Sequence, residues 1–129
     1  MKINKFEDLP IWKSAIGLTI EIYDVTFMGK FAKDFCLRDQ IRKAIISISS
    51  NIVEGFEKNN NNEFIRFLKI AKGSAGEVRS QLYIASALGY ISKEKFDHLN
   101  LKFQDLANQI GSFISYLEQK RKNGEFIRK

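Results

Sequence analysis

Between Phe96 and Leu117 the apolar residues Phe96, Leu99, Phe103, Leu106, Ile110, Phe113 and Leu117 recur at alternating steps of three and four. A second run just upstream also steps by three or four, through Phe64, Phe67, Ala71, Ala75, Val78, Leu82, Ala85 and Gly89. A strand would repeat every second residue, whereas this spacing keeps one face of a helix apolar over many turns. Only the short link Gly-Tyr-Ile-Ser, at 89–92, connects the two helices that these runs predict. A link that short sets its helices antiparallel, and matched heptad stripes pack them side by side. The chain is thereby constrained to build outward from a long helical hairpin.

Two further helices precede that hairpin. One extends from about Leu9 to about Phe27, with Pro10 in its first turn, where the missing N–H has no helical partner to lose. Its stripe is Ile11, Ala15, Leu18 and Ile22, flanked by Trp12, Thr19 and Tyr23, and Gly29 follows as a stop. The other covers about 36–58. The third helix, about 61–89, has Asn60 and Glu63 placed as a capping-box variant, and Ser92 is an N-cap for the fourth, about 93–121. Pro10 is the only proline, and no Asn-Gly or Asp-Gly stands between alternating apolar runs as a strand hairpin would need. The expected fold is all-α, an antiparallel four-helix bundle in a single domain over 1–129, with a basic tail at 120–129.

The second helix is unusual in its middle. Ile41, Ile45, Ile48, Ile52 and Phe56 share one side, with Leu37 and Ala44 at one margin and Ile46 and Val53 at the other. The remaining stripe holds Gln40, Lys43, Ser47, Ser50, Asn51 and Glu54. A solvated face would be better served by Glu, Lys or Ala, by roughly 0.5 kcal/mol per position. The preferred reading is a packed polar seam in which small polar groups let another backbone approach and keep their hydrogen bonds. Asn51 and Glu54 are then expected to be buried, with Ser47 beside them. Glu77 of the third helix could face Glu54, and Arg42, Ser47 and Asn51 are partners for such carboxylates. The alternative is an ordinary solvated face.

On the third helix the side opposite the core stripe carries Gly73, Gly76, Ser80 and Ala87. Each glycine costs about 1 kcal/mol relative to alanine inside a helix, so a close-packing reason is expected. Another helix of the same bundle and a neighbouring subunit are the two candidates. The same helix carries Arg66, Lys69, Lys72 and Arg79, a candidate phosphate-binding patch whose contacts would be salt-sensitive and blind to sequence. Tyr83 is the one aromatic interleaved with it. A surface helix kept soluble by four basic residues is the competing reading. Of the formal net charge of +6, nearly all falls after Asn60: nine basic residues face eight acidic ones up to that point, and twelve face seven beyond it. The tail adds Lys120, Arg121, Lys122, Arg128 and Lys129.

Other chemistries find little footing. His98 is the only histidine and Cys36 the only cysteine, which excludes Cys/His zinc sites of three or four ligands. No Glu-x-x-His pair suits a di-iron bundle, and no glycine-rich phosphate loop is present, since the Gly-Ser-Ala-Gly of residues 73–76 lies inside a heptad. No catalytic residue, metal or cofactor is expected, and the chain reads as a non-enzyme. The lone cysteine, the absence of an apolar leader and the absence of a run of about 20 apolar residues point to a cytoplasmic protein with no membrane contact.

The stretches FEDLPIWKSA (6–15), LRDQIRKAIISISSNIVEGFEK (37–58) and EFIRFLKIAKGSAGEVRSQL (63–82) resemble the four-helix-bundle family of 23S ribosomal RNA intervening-sequence proteins. The resemblance runs from Phe6 to about Tyr90. Its marks are Asp8, Leu9 and Trp12; Gln40, Arg42 and Ala44; Ser47, Asn51, Ile52, Glu54 and Gly55; and Gly73, Ser74 and Glu77. Val53 stands where the family usually has Ala, and the family's adjacent basic pair is kept as Arg42 and Lys43. The resemblance implies a small cytoplasmic bacterial bundle that forms homo-oligomers, pentamers among them. A similar group serves as accessory factors to reverse transcriptases of diversity-generating retroelements and is thought to bind nucleic acid. The sequence thus leads to a self-associating, non-enzymatic scaffold that binds RNA or DNA through a basic surface; the alternative is a protein–protein adaptor, and a small-molecule-binding bundle comes third.

Overall fold

The computed structural model describes residues 3–124, and Arg128 and Lys129 of the basic tail lie outside them. A short 3-10 turn, Phe6–Asp8, leads into α1 (Pro10–Thr26). Then follow α2 (Gly29–Lys33), α3 (Phe35–Glu57), α4 (Asn61–Ala87) and α5 (Lys93–Lys122). No strand occurs among the described residues. The four long helices are those expected from the spacing, to within two residues at each end. Gly89, placed last in the third helix's stripe, lies instead in the α4–α5 turn, at a φ of 75° that favours glycine.

Cross-helix contacts fix an up-down-up-down order. Ser47 meets Ser74 and Gly55 meets Phe67, so α3 and α4 run antiparallel. Arg79 meets Asn100 and Tyr83 meets Phe96, so α4 and α5 do likewise. Glu21 reaches His98 across α1 and α5, closing the ring of four, and α1 lies against α3 through Thr26 and Arg42. The core is one cluster drawn from all four long helices, with Ile22, Ile45, Ile48, Leu68, Leu82, Leu99 and Phe103 fully enclosed.

Three caps are side-chain made. Asn60 accepts from the Glu63 amide, Ser92 from the Lys95 amide and Asp34 from the Leu37 amide, each satisfying an orphan N–H of a first turn. The first two are the caps expected from the sequence. The third caps α3 just after α2, a short helix that the spacing did not reveal: Phe31 of α2 fills the end of the core and packs on Tyr90 with ring centroids 5.5 Å apart. Asp34 holds this corner twice over, since its second carboxylate oxygen accepts from the Tyr90 hydroxyl at 2.9 Å.

At Gly55 α3 and α4 approach too closely for a side chain. A Cβ there would lie 2.7 Å from Phe67 Cβ and 3.3 Å from Phe64 Cα, so only glycine fits without moving backbone.

Candidate nucleic-acid interface

The polar seam of α3 is real but narrower than expected. Ser47 Oγ and Ser74 Oγ hydrogen-bond at 2.9 Å between α3 and α4. Asn51 Nδ2 donates to Ser47 Oγ at 2.9 Å and to the Ser47 carbonyl at 2.7 Å. Ser74 is buried, while Ser47 and Asn51 are half-buried. The expectation of a buried Glu54 fails: Gln40, Glu54 and Glu77 are all exposed. Two packed helices cover only a band on each other, and both carboxylates fall outside it.

Arg42 does not belong to this seam. It precedes Ser47 by five residues, about 140° round the helix, and so faces α1 rather than α4. Its Nε donates to Thr26 Oγ1 at 2.8 Å, and its guanidinium lies 4.7 Å from the Tyr23 ring centroid and 4.6 Å from that of Phe27. Thr26 is fully buried. Sequence spacing placed Ser47 and Asn51 together but gave no sign of Ser74, Thr26, Tyr23 or Phe27 as partners, because each comes from a different helix.

The four basic residues of α4 divide. Arg66 is exposed, bonds Glu63 Oε2 at 2.9 Å and stacks over Phe67 at 4.5 Å. That hydrogen bond holds the Glu63 carboxyl below its ordinary pKa. Lys69 and Lys72 are exposed and line a shallow groove between α4 and α5 with Gly73, Gly111, Ile114 and Ser115. Lys72 lies over α5, its Nζ 3.5 Å from where a Cβ on Gly111 would stand. Arg79 is the exception: it is half-buried and spends its Nε on Asn100 Oδ1 at 3.0 Å, tying α4 to α5. An outward-facing role for it is therefore corrected to a helix-joining one. Arg121, in the last turn of α5, donates to Asn62 Oδ1 at 3.1 Å and so brings tail charge to the start of α4.

Beside these cations lies the small-residue face. Gly73, Gly76, Ser80 and Ala87 are exposed, and a Cβ added at either glycine would meet nothing within 4 Å. Packing within the bundle is thus removed as the reason for the glycines. Ile70, Gly73, Glu77, Ser80, Ile84 and Ala87 repeat at steps of three and four along the same side, and Ile70 (43%), Ile84 (47%) and Leu88 (52%) are large apolar side chains left open. This is a second heptad on α4, turned away from the bundle's own core.

A family model, 23S rRNA-intervening sequence protein, matches residues 7–112. The chain belongs to this family. A solved structure, described as a protein of unknown function from the S23 ribosomal protein family of Bacteroides thetaiotaomicron VPI-5482, is similar in fold. It shares 24% identity at a TM-score of 0.75, over 81% of this chain and 95% of that one. No curated protein matches the chain. Among the described residues, no helix is long and apolar enough to cross a membrane and no group of three or more metal-binding side chains is gathered.

Proposed function

We infer that this chain is a non-enzymatic scaffold that associates with further copies of itself through the outward stripe of α4 and binds RNA or DNA through the cations beside that stripe. The observation that carries the reading is the second heptad. Two helix-weakening glycines, three exposed large aliphatic residues and no neighbour within the bundle are costly on a surface that meets only water. A facing helix would recover that cost. Repetition of Arg66, Lys69 and Lys72 around a closed assembly, a pentamer being the family's precedent, would make a multivalent cationic surface.

Two measurements test this. Light scattering at micromolar concentration should report several times the 14.9 kDa chain mass. Binding to labelled nucleic acid should fall steeply with salt, at close to one unit of log–log slope per phosphate neutralised. The double reversal Arg66→Glu/Lys69→Glu should weaken binding sharply with little change in melting temperature, because exposed charges contribute little to stability. Deleting 122–129 should matter less. A chain that stays monomeric on dilution, or that binds no nucleic acid near about 0.1 M salt, gives the lead to the adaptor reading, in which the stripe docks a different protein such as a reverse transcriptase.

A further inference from the structure

A different corner of the bundle, formed by the end of α1, by α2 and by the start of α3, joins exposed rings to guanidinium planes. Phe27 is 68% exposed and Phe35 is 64% exposed. Arg42 stacks on Phe27 and Tyr23, whose centroids are 6.4 Å apart, and Arg38 stacks on Phe35 at 4.7 Å. Arg38 and Arg42 are one helical turn apart on α3, so the two stacked pairs lie on the same side of that helix. Packing accounts for neither ring, since each leaves most of its surface in solvent. The arginines are held in place instead: Arg38 Nη1 donates to the Ala32 carbonyl at 3.1 Å, and Arg42 Nε to Thr26.

The surroundings are cationic. Residues 23–43 carry Lys30, Lys33, Arg38, Arg42 and Lys43 against Asp24, Asp34 and Asp39. Asp34 is occupied by the α3 cap and by Tyr90, and Asp39 by Arg38. The three lysines are exposed and, among the described residues, none makes an ion pair. Flat apolar faces set in a positive field fit a partner that offers flat π-faces and negative charge together.

We propose that this corner is a stacking site for unpaired nucleotides, with bases laid on Phe27 and Phe35 and phosphates drawn by Lys30, Lys33 and Lys43. It rests on the nucleic-acid reading above but uses a separate surface. Cations on α4 attract any phosphate backbone, whereas exposed rings reward only bases free to leave a duplex. The corner therefore gives the protein a preference for single strands over duplex.

The test compares the whole chain with Phe27→Ala and Phe35→Ala, using a fluorescent single-stranded DNA without secondary structure and the blunt duplex of the same length. Each truncation should weaken single-strand binding about tenfold and leave duplex binding unchanged. Arg66→Glu/Lys69→Glu should weaken both forms. Phe35→Trp, which keeps a stacking surface, should retain single-strand affinity and show indole quenching on binding that the parent, with Trp12 alone, lacks.

Loss of both forms to the same degree on truncation, or of neither, overturns the proposal while leaving the α4 reading intact. A fall in assembled mass on truncation overturns it by assigning the corner to a contact between copies. Truncation that abolishes binding to anionic lipid vesicles but spares the single strand overturns it in favour of a lipid surface. A parent that binds neither nucleic acid overturns both readings together.

Discussion

At the scale of single residues, the α3–α4 contact is controlled by two neighbouring positions with opposite demands. At Gly55 the demand is for nothing at all. Gly55→Ala would gain roughly 1 kcal/mol in helix propensity but force Phe67 Cβ and the Phe64 backbone apart, at about 1–3 kcal/mol. A net loss is expected in urea melts. One turn earlier the demand is for a donor. Asn51→Leu removes the bonds to Ser47 and leaves the Ser47–Ser74 pair beside an apolar group, so a loss of about 1 kcal/mol is expected. Neutral or stabilising behaviour of this variant would reassign Asn51 to a solvent face. That half of the seam was readable from Ser and Asn in a helical stripe, whereas Glu54 and Glu77 were misplaced. The wheel gives a side chain's direction but not the width of the band a neighbour covers.

At the scale of elements, α2 is held by Phe31 in the core and by the Asp34–Tyr90 link. The hydrogen bond from Tyr90 to Asp34 raises the Tyr90 pKa above its ordinary value. A raised pKa means the folded state favours the protonated phenol. The contribution is therefore present below the unfolded pKa and lost as pH climbs past about 10. Tyr90→Phe should lack this alkaline component when melting temperature is followed against pH. Equal alkaline profiles for the two proteins would mean the bond is not made in solution. Asp34→Ala should cost more than Tyr90→Phe, about 1–2 kcal/mol, because it opens the α3 cap as well.

At the scale of the whole molecule, α4 works as a two-faced helix. Its inner heptad is spent on the bundle and its outer one is unspent. In the isolated chain Gly73→Ala and Gly76→Ala should each stabilise by roughly 0.5–1 kcal/mol, since nothing stands in the way of a methyl group. In an assembly built on the outer stripe, Gly73→Gln/Gly76→Gln should keep the helical circular dichroism and lose the multimeric mass. Retention of the parent's assembled mass would remove the stripe from the interface.

The sequence by itself determined the class of fold, the boundaries of the long helices and most of the core, because a 3.5-residue apolar repeat encodes burial locally. Its motifs also sufficed to place the chain in its family. The tertiary structure decided everything that depends on which helix stands next to which. It separated Arg42 from the Ser47 seam and set it on Tyr23 and Phe27, turned Arg79 from an outward charge into a tie to Asn100, and found Phe31 plugging the bundle end. It also left Gly73 and Gly76 facing open space. A repeat fixes the azimuth of a side chain on its own helix, but only the packed neighbours fix whether that azimuth ends in a core, a partner or water.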